Sequence, residues 1–451
     1  MNITPPRALC RFLIAGAALS FGMAAAHGDD LWDIYQIALE RDAAYAAADY
    51  EYRSAKLDLP LARAEFLPSL RLRGSAERLR REDAADDDED HDTDHRSSLT
   101  ADLQLFNLES IRNLSQAKLR VAGAKIRFED ARADLILRVA DDYFRVLAAK
   151  DNKEVAERQK AAIQRQMDLA SQRLAVGLGT RTDLFDAQAR FQQAVADAIE
   201  ADNRIDNAIN TLKEITGTLP GALATLGGDA PLEPPSPRSP AAWIDRALQH
   251  NRALKAETLN LKVAAVEVKK QRASRWPAVD LNVTRNWRES GDDFFTSGQN
   301  LGQLRETDST TVAATLNWPL FLGGAIHFRS KQAALRYNAA ERIREELKRR
   351  VESDTTSAYL AVVSGVSQVK ALSEAIRAGE SALQAKDEGF RAGLTTNIDV
   401  LDAQRDLARS RTDYLGARYD FILSVLRLER AVGDLNEEDV KRINAWLTDG
   451  R

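Results

Sequence analysis

Two short stretches of this 451-residue chain hold carboxylates at a spacing that could do chemistry. Ala175–Gln188 reads AVGLGTRTDLFDAQ, and Arg391–Gln404 reads RAGLTTNIDVLDAQ. Asp183 and Asp186 in the first, and Asp399 and Asp402 in the second, are three residues apart, which puts both carboxylates of a pair on one helix face. Acid–base or nucleophilic catalysis would need a partner group. The histidines are His27, His91, His95, His250 and His327, and none has a motif around it. There is no Ser/His/Asp order, no metal-ligand cluster and no Gly-rich phosphate loop, so we expect no catalytic residues, no metal and no cofactor. What remains for the aspartates is helix-start chemistry or the attraction of cations. Gly177 and Gly393 fall where a helix stops and a positive φ is needed. Thr180 or Thr182 can cap the next helix, and Asp183 and Asp399 fall in its first turn, where the dipole favours carboxylates. That reading explains Asp186 and Asp402 less well.

The elements that position these residues are duplicated. Gly177 and Gly393, Asp183 and Asp399, and Gln188 and Gln404 are each 216 residues apart, and the offset carries Tyr143 onto Tyr359 and Gly217 onto Gly433. Upstream the offset is 209, with Leu67-Pro68 falling on Trp276-Pro277. The chain is therefore two copies of one unit. Residues 27–218 and 241–435 are the copies. Between them, residues 219–240 hold six of the twelve prolines and form a linker, and 436–451 are a C-terminal tail.

Residues 1–26 carry Arg7 and Arg11, an apolar run, and Ala24-Ala25-Ala26, the pattern of a secretory signal peptide. Cys10 would leave with it, so the mature chain would have no cysteine and no disulfide. Losing two arginines takes the formal charge from −5 to about −7. Basic residues alternate with acidic ones along the helices, so nucleic-acid binding is not indicated.

Charged residues make up 29% and aromatics only 6%, a long-helix composition rather than that of a packed core. Leu31–Leu59 and Trp243–Arg275 have helical periodicity, with Pro60 and Pro68 at the end of the first. Glu109–Leu174 has no proline, and about 65 residues of helix would be roughly 100 Å long. Leu184, Phe191, Ala198, Ile205 and Leu212 recur every seven residues, as do Val400, Leu407, Tyr414, Phe421 and Leu428, a coiled-coil seam.

Elsewhere the period is two. Alternation predicts strands at about 67–80, 97–106, 277–289 and 309–321, one hairpin per copy. The connections Arg80–His95, with its acidic run, and Glu289–Asp308 read as polar loops. His91 and His95 among those carboxylates could bind a divalent cation, but such a tract is more commonly just hydrated. Phe66, Phe106, Trp276, Trp318 and Phe321 flank the helix-side strand ends, as aromatics flank an outer-membrane β-barrel. Two hairpins cannot close a membrane barrel, which needs at least ~8 strands, so further strands must come from other subunits. A dimer would fill its barrel with side chains; a trimer would leave a lumen.

The duplicated G-L-x-T-x-x-D-x-x-D-A-Q motif, the L-P and W-P strand starts, the junctions Leu105-Phe106-Asn107 and Pro319-Leu320-Phe321, and the ending AVGDLNEEDVKRIN together resemble the TolC family of outer-membrane channel and secretion proteins. The likeness covers essentially the whole mature chain. It implies a mostly α fold with membrane β: a homotrimeric β-barrel in the outer membrane of a Gram-negative bacterium, in contact with its lipid, continued by a long α-helical barrel across the periplasm. It also implies an exit duct for proteins or small molecules, joined to a periplasmic adaptor (membrane fusion protein) and an inner-membrane ABC, RND or MFS transporter. By the same resemblance, Asp399 and Asp402, with Asp183 near and Asp186 its pair, form the periplasmic gate. The turns Gly177-Leu178 and Gly393-Leu394 become the adaptor-docking tips. In such a trimer each aspartate becomes a ring whose like charges raise one another's pKa and attract cations. A tyrosine and an arginine that help close the family's tunnel mouth are replaced by Phe390 and Thr395, so the closure network must differ. The rival reading is a periplasmic coiled-coil adaptor or adhesin without a pore.

Overall fold

The computed structural model describes residues 29–448, apart from 83–88, 228–230, 294, 297–298 and 301–302. The expected signal peptide thus lies outside the described residues. In chain order, α1 (Leu31–Arg41), α2 (Ala43–Lys56) and α3 (Asp58–Ala64) precede strands β1 (Ser69–Glu82) and β2 (Glu89–Phe106). The hairpin α4 (Leu108–Ala175) and α5 (Arg181–Thr216) follows, then β3 (Thr225–Leu226). The second copy runs α6 (Pro240–His250), α7 (Arg252–Ala273), β4 (Ala278–Asp293), β5 (Phe295–Thr296), β6 (Gln299–Asn300) and β7 (Gln303–Asn317). It continues with α8 (Ala325–Arg391) and α9 (Asn397–Val432), and the tail adds α10 (Glu437–Asn444) and β8 (Leu447–Thr448).

Several expectations need correction. The stretch 31–59 is not one helix. Asp42 has an extended ψ of 118° and its carboxylate accepts from Tyr45 N, which ends α1 and starts α2. Pro60 sits in the first turn of α3, where its missing N–H costs nothing, rather than ending a helix. The second copy breaks at the equivalent place, where Asn251 caps α7 through Leu254 N. The strands also run further than the alternation. Arg80 pairs with His91 and His95 with Glu289, so much of the acidic stretch is ladder rather than loop. The ladder is made by backbone N–H and C=O groups, so pairing can continue without an apolar period in the side chains. At the other end β7 stops at Asn317, short of 321, because Pro319 cannot donate to a ladder.

The two hairpins join into one antiparallel sheet of order β1-β2-β4-β7, and among the described residues the outer edges of β1 and β7 are unpaired. Residues directly opposite one another share a face. One face carries the rows Phe106/Val279/Leu316, Leu103/Leu281/Ala314, Leu70/Ala101/Val283/Val312 and Leu72/Leu99/Arg285/Thr310. Beyond them it turns polar at Ala76/His95/Glu289/Glu306. The other carries Arg71/Thr100/Thr284/Thr311 and Asp102/Asn282/Ala313, where Arg71 and Asn282 both bond Asp102.

α4 has 68 residues and α8 has 67, each about 100 Å long. The seam between α4 and α5 is more regular than the heptads predict: Ala187, Ala194, Ala201, Ala208 and Ile215, seven apart, are all buried, letting the backbones approach closely. The main hydrophobic core lies midway along the helices. There Tyr35, Tyr143, Phe144, Trp243, Phe421 and Ile443 pack together under a girdle of α1, α6 and α10. Tyr143 donates to Ala224 O at 2.8 Å, fixing the loop that leads to β3, and β3 pairs with β8 of the tail. No described helix is long and apolar enough to cross a membrane.

Candidate functional site at the hairpin tips

The two helical hairpins turn with the same geometry. Gly177 has φ +77° and Gly393 φ +76°. Leu178 N donates to Arg173 O and Leu394 N to Gly389 O, each at 2.8 Å, satisfying the last carbonyls of α4 and α8. The turn leaves Leu178 72% and Leu394 82% exposed, apolar knobs with no cover in the chain. Thr180, not Thr182, caps α5, and Thr396 caps α9. In each case the cap and the aspartate form a reciprocal box. Asp183 N donates to Thr180 Oγ1 at 3.0 Å and Thr180 N to Asp183 Oδ2 at 3.1 Å. Asp399 N donates to Thr396 Oγ1 at 3.3 Å and Thr396 N to Asp399 Oδ2 at 2.9 Å.

These bonds act on charge. The Thr396 hydroxyl, then its backbone N–H, hold the Asp399 carboxyl below the ordinary carboxylate range. Within one chain the shift is thus opposite to the rise expected of like charges, because two donors face the ionised oxygen. Asp402 is held differently: Arg190 of α5 reaches it at 3.0 Å and Arg405 at 3.4 Å. Asp186 makes no side-chain hydrogen bond or ion pair among the described residues. The repeat-related pair Asp186 and Asp402 therefore have unlike surroundings, whereas Asp183 and Asp399 share one capping arrangement.

The sequence reading missed the residues that join the hairpins. Asn397 is 1% exposed; its Oδ1 accepts from Gln166 Nε2 at 2.6 Å and its Nδ2 donates to Asp183 O at 3.3 Å. Arg173 lies 4.6 Å over the Phe390 ring and donates to Phe390 O at 3.3 Å. Thr395 Oγ1 donates to Lys386 O at 2.9 Å, a local bond closing the end of α8. A signal existed: Gln166, Arg173, Arg190 and Asn397 map onto Ala382, Gly389, Asp406 and Arg181, so the copies diverge where they touch one another. Above the tip a cavity of about 500 Å³ opens between α4, α8 and α9, lined by Arg165, Gln166, Gln384, Asp387, Gln404 and Arg411. Among the described residues no group of three His, Cys, Asp or Glu side chains is placed to hold a metal.

Comparison with known proteins matches residues 34–218 and 243–434 to the family described as outer membrane efflux protein, leaving out the proline-rich linker. The outer membrane protein TolC of Vibrio cholerae is 31% identical, over 96% of this chain and 98% of its own length. The alkaline protease secretion protein AprF of Pseudomonas aeruginosa is 30% identical, over 93% and 88%. Among solved structures, CusC superposes with a TM-score of 0.77 at 18% identity, over 92% of this chain and 95% of that one. VceC of Vibrio cholerae gives 0.74 at 19%, over 89% and 96%.

Proposed function

The chain belongs to the outer membrane efflux protein family, and from that premise we propose a trimeric duct whose periplasmic tip is its gate. It is an outer-membrane exit component of export. The observation that carries the finer reading is the four-stranded sheet: apolar on one face, polar on the other, and open at both edges. Its apolar rows, from Phe106 to Leu99, run roughly 20–25 Å along the strands, which at a tilt of about 40° covers roughly 15–20 Å of the ~25 Å apolar band of an outer-membrane barrel. Three chains with edges β1 and β7 paired give twelve strands, which leaves a lumen lined by Arg71, Asp102, Thr100 and Thr284. The helices continue that lumen for about 100 Å.

At the far end Asp183, Asp186, Asp399 and Asp402 form the cation-attracting gate. Gly177, Leu178, Gly393 and Leu394 dock a periplasmic adaptor, a reading supported by the exposed leucine that both turns present at the same place. An inner-membrane transporter of ABC, RND or MFS type supplies the cargo, and cargo choice rests with it. An adaptor or pore-free adhesin would have no use for an amphipathic sheet with two open edges.

The test is single-channel conductance of the refolded mature protein in a planar bilayer, beside Asp399→Ala/Asp402→Ala. A low, cation-selective conductance that rises and loses selectivity in the double variant supports pore and gate. A pore unaffected by the changes returns the aspartates to helix capping, and a correctly assembled protein without conductance overturns the duct.

A further inference from the structure

Three consecutive rows on the polar face of the sheet gather its cations. They are Arg71/Thr100/Thr284/Thr311, Arg73/Ser98/Asn286/Ser309 and Ser75/Arg96/Arg288/Thr307, with four arginines and no carboxylate. The nearest acids on this face stand one row to either side: Asp102 towards the helices, Asp94 and Glu77 towards the hairpin turns. Asp102 accepts from Arg71 at 2.5 Å. Asp94, 6% exposed, accepts from Arg288 Nε at 2.9 Å and Nη2 at 2.8 Å, and also bonds Arg96. Arg96 and Arg288 are directly opposite one another, like charges sharing one aspartate. Arg73, in the middle row, makes no hydrogen bond or ion pair among the described residues. Cross-strand ion pairing therefore does not account for the set, and all four side chains are exposed.

We propose that these arginines form an anion-binding belt inside the barrel, which takes small ligands bearing several phosphate or sulfate groups. It rests on reading the polar face as the wall of a trimer's lumen. The backbones of a twelve-strand barrel stand roughly 25 Å apart across that lumen, so guanidiniums from all three chains come within about 10 Å, one Debye length, of its axis. A planar guanidinium offers two parallel N–H groups to a phosphate, and the surrounding Ser and Thr hydroxyls can serve the remaining oxygens. Asp94 already orients Arg96 and Arg288, which lowers the ordering cost of binding. A multivalent anion meets several arginines at once, whereas a single phosphate or a chloride is held by one. The duct then carries opposite charge at its two ends, arginines in the barrel and aspartates at the tip.

The experiment titrates the assembled mature protein in detergent with linear inorganic triphosphate and reads the heat of binding, with thermal melting as a fold control. Wild type is compared with Arg73→Gln/Arg96→Gln and Arg73→Lys/Arg96→Lys. The glutamine pair should weaken binding on the order of tenfold or more, the lysine pair should keep most of it, and added salt should weaken it in wild type. Arg73→Gln alone, at a side chain with no partner to lose, carries the test if the glutamine pair melts early. Asp399→Ala/Asp402→Ala should bind as wild type does, because the tip is at the other end of the helices. In planar bilayers, triphosphate added on the barrel side should lower the conductance of wild type and not that of the glutamine pair. No binding to wild type, binding that the glutamine substitutions leave unchanged, or binding without any fall in conductance of a conducting channel overturns the belt. A wild type that binds through these arginines yet never conducts sinks the duct reading and leaves the anion site standing.

Discussion

Arg190 Nη2 lies 3.0 Å from Asp402 Oδ1, tying α5 of the first repeat to α9 of the second. Neither residue has a like partner in the other copy: Arg190 maps onto Asp406, and Asp186, which maps onto Asp402, is unpaired among the described residues. Both side chains are over one third exposed, so the pair contributes under about 1 kcal/mol to folding and acts mainly on local charge.

Asp402 is thus partly neutralised by Arg190 and Arg405, whereas Asp399 is stabilised as an anion by donors that carry no charge. Reversal potentials should shift more in Asp399→Ala than in Asp402→Ala, and Arg190→Ala should increase cation preference. Equal shifts in the two alanine variants would refute this.

The Asp399 carboxyl sits below its ordinary value. A depressed folded pKa adds stability that is present above the unfolded value of about 3.9 and is lost as pH falls through the folded one. Cation selectivity should therefore persist down to about pH 4 and fade below it. In Thr396→Ala the loss should begin at higher pH, because the first donor is gone.

Thr180 and Thr396 each complete a capping box. Replacing either by alanine should cost about 1 kcal/mol, localised at the start of α5 or α9. Hydrogen exchange at those first turns should rise while the mid-helix core, around Tyr143 and Phe421, stays protected.

Glycines at positive φ should differ sharply. A Cβ at Gly393 meets nothing within 4 Å, so Gly393→Ala should cost only about 1–2 kcal/mol of backbone strain. A bulky residue there should leave assembly intact while abolishing export if the tip docks. At Gly433, φ +96°, a Cβ would come within 2.6 Å of His250 O and 2.8 Å of Asn251 Cα. Gly433→Ala should therefore disrupt the junction of α6, α7 and α9 and lower the melting temperature markedly more than Gly393→Ala.

Burial raises the Asp151 carboxyl, although Tyr419 donates to it at 2.6 Å. A raised acid pKa means the ionised form costs stability at neutral pH, a cost relieved as pH falls through the folded value towards the unfolded one. Asp151→Asn keeps an acceptor for Tyr419 and should melt higher than wild type at pH 7, with the difference closing towards about pH 4.

The sequence by itself determined what is periodic or repeated. Motif identity between residues 177–188 and 393–404 fixes two equivalent turns, because a positive-φ glycine and a Thr/Asp box specify a helix stop and start locally. Heptads specify long paired helices, and two-residue alternation specifies strands, since both depend on side-chain direction along one element. The tertiary structure decided what depends on register between distant elements. It joined the two hairpins into one sheet, carried the strands into the acidic stretch, and divided residues 31–59 at Asp42. It also made the repeat asymmetric at the tip. Asn397 and Gln166 are 231 residues apart and unremarked by any local pattern, because a buried hydrogen bond is a property of two helices in one alignment.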